Sequence, residues 1–166
     1  MIESRKAFRR LVLRTFVPAL LALHALAAPA AGVDLPLAVD LRVEVAQAGQ
    51  SGSPLIVIFS RPDCQYCETV KRDYLKPLAS DPLRHGVVVR QINQDSAAPL
   101  IDFRGDRTTH ARFANLEKVK LVPVVAFYGP NGKRLADPII GARLPDFYQD
   151  YLEESIEKSA AALKAH

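Results

Sequence analysis

The sequence predicts an α/β fold: a four-stranded mixed sheet flanked by helices on both faces. Three observations carry this. Residues 55–59 form a short, continuous apolar run rich in β-branched side chains, as strands buried on both faces do, and 124–128 read as a further strand opened by Pro123. Segments with helical spacing alternate with them. Pro130-Asn131-Gly132 is a hairpin turn signal near the end.

Taken in order, Asp34 is placed to cap a first helix with Pro36 in its first turn. Leu37, Leu41, Val45 and Ala48 follow at helical spacing. The alternation of Leu41, Val43 and Val45 allows a strand instead; helix is the favoured reading. Residues 49–54 break the pattern. Strand 55–59 leads through the turn Arg61-Pro62-Asp63 into a helix from about Cys64, with Val70, Tyr74, Leu75 and Leu78 inward. Pro77 kinks or ends it. Gly86 precedes a second strand, 87–92. Residues 95–106 read as a polar connection with a short helical turn around Leu100. Thr108 or Thr109 starts a helix to about Val119. Pro123 opens the third strand, and the hairpin leads to a fourth near 133–135. Pro145 begins the last helix, with Phe147, Tyr148, Tyr151, Leu152 and Ile156 toward the sheet and 160–166 frayed. The strand–helix–strand unit requires parallel pairing, whereas the later hairpin adds antiparallel strands.

Residues 1–31 stand apart. Arg5, Lys6, Arg9 and Arg10 make a positive head, and 16–28 are apolar except for His24. Ala25-Leu26-Ala27 and Ala28-Pro29-Ala30 fit a small-x-small cleavage site. This is the layout of a cleaved secretory signal, so the expected domain is 32–166, with 31–34 a disordered new terminus. A retained anchor would need about 20 apolar residues. Arg9-Arg10 hints at the twin-arginine route. The chain has 22 basic and 18 acidic side chains. The leader holds five basic and one acidic, which leaves 17 of each. A domain without excess charge lacks the footprint of a nucleic-acid binder.

Both cysteines lie in Cys64-Gln65-Tyr66-Cys67. A bridge across two residues closes too short a loop to restrain much of the unfolded chain, so chemistry explains the pair better than stapling. A structural zinc needs four ligands. Beyond the leader only His85, His110 and His166 could add to two cysteines, so no metal is expected.

Residues Val57-Ile58-Phe59-Ser60-Arg61-Pro62-Asp63-Cys64-Gln65-Tyr66-Cys67 resemble the thioredoxin superfamily. They are especially similar to its periplasmic branch, which includes the catalytic domains of bacterial disulfide isomerases and the thioredoxin-related proteins of sulfur-oxidation clusters. The resemblance covers about 55–163. It implies a thioredoxin-like fold and thiol–disulfide exchange without a cofactor. With the pair opening a helix, Cys64 sits where backbone N–H groups favour the thiolate and is the attacking residue. Cys67, one turn later, resolves the mixed disulfide. Arg61 favours the anion and Asp63 opposes it.

The resemblance further implies a cis bond before Pro123, with Val122 and Pro123 contacting substrate. Tyr66 belongs either to that contact surface or to packing beside the cysteines. Cytoplasmic thioredoxins carry a buried aspartate where this chain has Ile58 and a tryptophan where it has Asp63. The chain has no tryptophan, and the departure points to the periplasmic branch. Residues 32–54 are too few for the dimerisation domain of the isomerases, so a monomer is expected. The first expectation is therefore an exported, periplasmic oxidoreductase acting on protein or sulfur-compound disulfides, served by a membrane or periplasmic redox partner. A non-catalytic binding module and a thiol-based metal carrier are the alternatives.

Overall fold

The computed structural model describes residues 35–81, 83–84, 86–142 and 145–165. The expected leader, the cap at Asp34, and the histidines His85 and His166 lie outside them.

Helix α1 (Leu41–Gln50) starts later than the sequence pattern implied. Its cap is Asp40, whose carboxylate accepts from the N–H groups of Arg42 and Val43. Pro36 and Leu37 run extended ahead of it, and Leu37 bridges to Gln91. Pro36 leaves its preceding residue poorly suited to helix, and a second capping side chain was available six positions on. The helical reading of 41–48 holds over the strand alternative.

Strand β1 (Leu55–Ser60) is buried at every position. It is central in a sheet of order β2-β1-β5-β6. Strand β2 (Val88–Asn93) runs parallel to it, from Leu55↔Val88 to Ser60↔Asn93. Strand β5 (Val124–Tyr128) runs antiparallel, from Leu55↔Tyr128 to Phe59↔Val124. The mixed sheet is thus the expected one.

Between β1 and β2 a continuous helical rod passes through α2 (Gln65–Val70), a π-helical turn (Lys71–Leu75) and α3 (Lys76–Ser80). Pro77 neither ends nor visibly breaks it. An α-turn there would ask Pro77 for a missing N–H and press its ring on the carbonyl four residues back. The wider turn ahead of it avoids both: the N–H of Lys76 bonds the carbonyl of Lys71, five residues back.

Four expectations are corrected. Leu100 lies in a strand, not a helical turn: β3 (Pro99–Ile101) pairs with β4 (Arg107–Thr109) around the turn held by Asp102, whose carboxylate accepts from the N–H groups of Arg104 and Asp106. Helix α4 (His110–Leu116), capped by Thr109, stops three residues early. Lys118 takes φ 57°, and the N–H groups of Lys118 and Val119 bond the carbonyls of Asn115 and Ala114, which closes a Schellman motif with lysine in glycine's usual place.

The fourth strand is β6 (Ile139–Ile140), not 133–135. The turn at Pro130–Gly132 does return the chain, and Arg134 bridges to Tyr128. Pro138 cannot donate to a ladder, and regular pairing with β5 resumes just past it. Helix α5 (Pro145–Lys164) turns Tyr148 and Leu152 inward but leaves Phe147 and Tyr151 largely exposed, and it persists through 160–164.

Alternation along the strands fills two cores. Leu55, Val57, Phe59, Val124, Ala126 and Tyr128 meet α1 and α4 on one face. Ile56, Ile58, Val89, Val125 and Phe127 meet the α2–α3 rod and α5 on the other. Helices therefore cover both faces.

Candidate redox site

The carboxyl end of β1 and the start of β5 meet at one edge of the sheet, because the two strands are antiparallel and Phe59 pairs with Val124. The loop after Ser60 delivers Cys64 there, and the residue before Val124 is Pro123. The chain thus brings its two expected site elements together through strand register alone.

Cys64 is the N-cap of α2, with extended backbone and a sulfur that accepts from the N–H of Cys67 at 3.1 Å. The Glu68 N–H bonds the Cys64 carbonyl, closing the first turn. Cys64 and Cys67 are joined in a disulfide. Cys64 retains 8% exposure and Cys67 none. Of the pair, the N-terminal residue is thus the one that keeps some exposure, and the second is fully buried one turn along the helix.

The Val122–Pro123 bond is cis, as the resemblance implied. Pro123 is buried and its carbonyl accepts from the Gly141 N–H. Val122 is half-buried against the first core. Two apolar side chains stand out near these residues in sequence: Tyr66 at 68% exposure and Leu121 at 73%.

Three contributors escaped the sequence reading. Gln94 ties the edge together: its N–H bonds the Ser60 carbonyl and its side-chain amide bonds the Val119 carbonyl, each at 2.8 Å. Ser60 is fully buried, and its hydroxyl has no partner among the described residues. Lys71 is buried on the α2–α3 rod and paired with Glu68. Lys71 could have been found from the sequence, since it falls on the same helical stripe as Val70, Tyr74 and Leu75. Gln94 could not, because its role depends on tertiary contacts. Among the described residues, no group of three or more His, Cys, Asp or Glu is placed to hold a metal.

No curated protein matches the chain significantly. Solved structures similar to it include a thioredoxin-fold protein from Helicobacter pylori, at 18% identity over 75% of this chain and 96% of that one, with a TM-score of 0.45. Thioredoxin O2 from Arabidopsis thaliana is similar at 16% identity over 70% and 91%, with a TM-score of 0.46. The DsbH oxidoreductase is similar at 14% over 81% and 89%, also at 0.46. The profile of the thioredoxin-like domain matches residues 41–156, most of the chain and all of the site just described. With its mixed sheet, its paired cysteines at a helix start and this match, the chain belongs to the thioredoxin-like family.

Proposed function

We propose that the protein is an exported thiol–disulfide oxidoreductase that exchanges electrons with protein or sulfur-compound disulfides through Cys64 and Cys67. The observation that carries this is the placement of Cys64 as a helix N-cap with Cys67 buried one turn behind it. Unpaired N–H groups at a helix start stabilise a thiolate, which is the attacking species.

In the reducing direction the Cys64 thiolate attacks one sulfur of the substrate disulfide. A mixed disulfide forms and the other substrate sulfur leaves as a thiolate, which takes a proton. Cys67 then loses its proton and attacks Cys64 Sγ. The intramolecular disulfide forms and the second substrate thiol departs. Two electrons pass from the cysteine pair to the substrate. The expected substrate contacts Tyr66, Val122 and Pro123, with Tyr66 and the adjacent Leu121 exposed, suit a polypeptide substrate.

The test is trapping and turnover together. The reduced protein should reduce insulin disulfides. Cys67→Ala should accumulate mixed disulfides with clients, and Cys64→Ala should not. A protein that binds clients without turnover, with equal capture by both variants, is a binding module instead. Export rests on the leader, residues 1–31. Fractionation of cells expressing the full chain should find a periplasmic product beginning near residue 31, and an intact Met1 in the membrane fraction would overturn cleavage.

A further inference from the structure

The helical rod that carries the cysteines turns one stripe toward the sheet. Cys67, Val70, Lys71, Tyr74, Leu75 and Leu78 recur at the three- and four-residue spacing of a single helix face. All but Tyr74 are buried, and the side chain of Lys71 is only 2% exposed. Core packing alone would fill such a position with leucine. An ammonium there is costly unless it is paired. One partner is Glu68 Oε1 at 2.6 Å, on a residue that itself reaches solvent. The π-turn beginning at Lys71 has its own cause in Pro77.

Its place relative to the sulfur is set by the helix. The Lys71 N–H bonds the carbonyl of Cys67, so the two residues stand one turn apart on the same face, where β-carbons are about 5–6 Å apart. Among the described residues, other buried elements bring little charge to the core behind the cysteine helix. Ile58, where cytoplasmic thioredoxins place an acid, is fully buried and apolar. β1 offers only the Ser60 hydroxyl, β5 offers Val125 and Phe127, and α5 offers the Tyr148 hydroxyl. Arg61 and Asp63 lie exposed on the preceding loop, and Arg72 and Asp73 pair with each other at the surface.

We propose that Lys71 is a positioning residue for the redox pair: its ammonium, held and partly neutralised by Glu68, stabilises the thiolate that forms at Cys67. The inference rests on the exchange function proposed above. In the resolving step the Cys67 S–H gives its proton to water and the sulfur bonds Cys64 Sγ. The bond from Cys64 to the substrate sulfur breaks, and the departing thiolate takes up a proton. A nearby cation favours the anion on this path and stabilises the dithiol form of the pair against the disulfide.

Charge and packing make different predictions for two single variants. Lys71→Met keeps length and burial but removes the cation. It should move the equilibrium with glutathione about tenfold toward the disulfide, a fall of about 30 mV. Glu68→Gln removes one negative charge beside the cation and should move it the opposite way, with alkylation of the cysteines shifted to lower pH. Lys71→Arg should stay near the unaltered protein. Shifts of opposite sign support the proposal. No shift, or shifts of the same sign, overturns it. If Lys71→Met does not fold, Glu68→Gln decides alone by the direction of its shift. If the unaltered pair fails to equilibrate with glutathione at all, the exchange function itself fails, and that outcome is distinct from equilibration that ignores both variants.

Discussion

The two faces of the sheet are equally apolar but treat their polar groups differently. On the face covered by α1 and α4, Phe59, Phe103, Phe113 and Tyr128 form a chain of ring contacts at 4.9–6.2 Å. The Tyr128 hydroxyl donates to Glu117 at 2.7 Å, and Arg134 pairs with the same carboxylate while lying over the Tyr128 ring. His110 uses both ring nitrogens. Nε2–H donates to the Ala38 carbonyl at 2.9 Å, which fixes Nδ1 as the acceptor for the Asn93 N–H at 3.1 Å. On the face covered by the α2–α3 rod and α5, the side-chain oxygens of Ser60, Gln91 and Tyr148 have no partner among the described residues. Buried polar atoms are normally satisfied. One face is finished as a structural layer. The other leaves buried polar oxygens without partners among the described residues.

The sharpest way to test that division is to damage the structural face. Phe113 stacks on Phe59 and touches Phe103, so Phe113→Ala should cost about 3–5 kcal/mol in urea unfolding. The potential of the Cys64–Cys67 pair should not move in the folded protein. A shifted potential would mean the two faces are coupled through β1. Leu75→Ala on the redox-helix face should cost about 2–5 kcal/mol.

This division was half legible in the sequence. The strands at 55–59 and 124–128 and the cysteine helix follow from apolar runs and a turn, which are local signals. Their meeting at one edge needed only the antiparallel register. What failed had physical competitors. Asp34 and Asp40 are both capping residues, and Pro36 decided for the second. Residues 95–106 are polar, so Leu100 had no periodicity to mark it as β3. Lys118 adopts a conformation that only glycine signals plainly. Phe147 and Tyr151 match the helical spacing of Tyr148 and Leu152, yet they sit beside the inward stripe and stay exposed. The polar groups at the site were missed because a buried serine or glutamine looks in sequence like an exposed one.

Two tyrosines bring the comparison to single atoms. Tyr128→Phe removes a hydroxyl that donates to a carboxylate shared with Arg134. Loss of a hydrogen bond to a charged group costs about 1.5–3 kcal/mol. Tyr148→Phe removes a buried hydroxyl without a partner among the described residues, close to Tyr74 with ring centroids 4.5 Å apart. Burial, with Tyr74 nearby, raises the Tyr148 phenol well above its ordinary range, so it stays neutral. Its removal should be neutral or stabilising by up to about 1 kcal/mol. Matched denaturation curves would check the pair. Equal losses for both variants would erase the distinction between the faces.

The smallest effect lies at the one exception on the structural face. Glu44 Oε1 accepts from the Val39 N–H at 3.1 Å and from Arg90 Nε at 3.2 Å, but Oε2 is buried without a partner among the described residues. Desolvation raises its pKa, outweighing the Val39 N–H and Arg90, which lower it. The folded protein therefore holds this proton more tightly than the unfolded chain. Such a group favours folding below the ordinary glutamate value and loses that contribution as pH rises through the raised one. Glu44→Gln keeps the acceptor but cannot titrate. The stability of the unaltered protein relative to this variant should fall as pH climbs through that window and then level off. Urea midpoints of both proteins from pH 4 to about 8 would show it. A difference that rises with pH would mean that Arg90 outweighs desolvation, and Glu44 would then join the satisfied groups of its face.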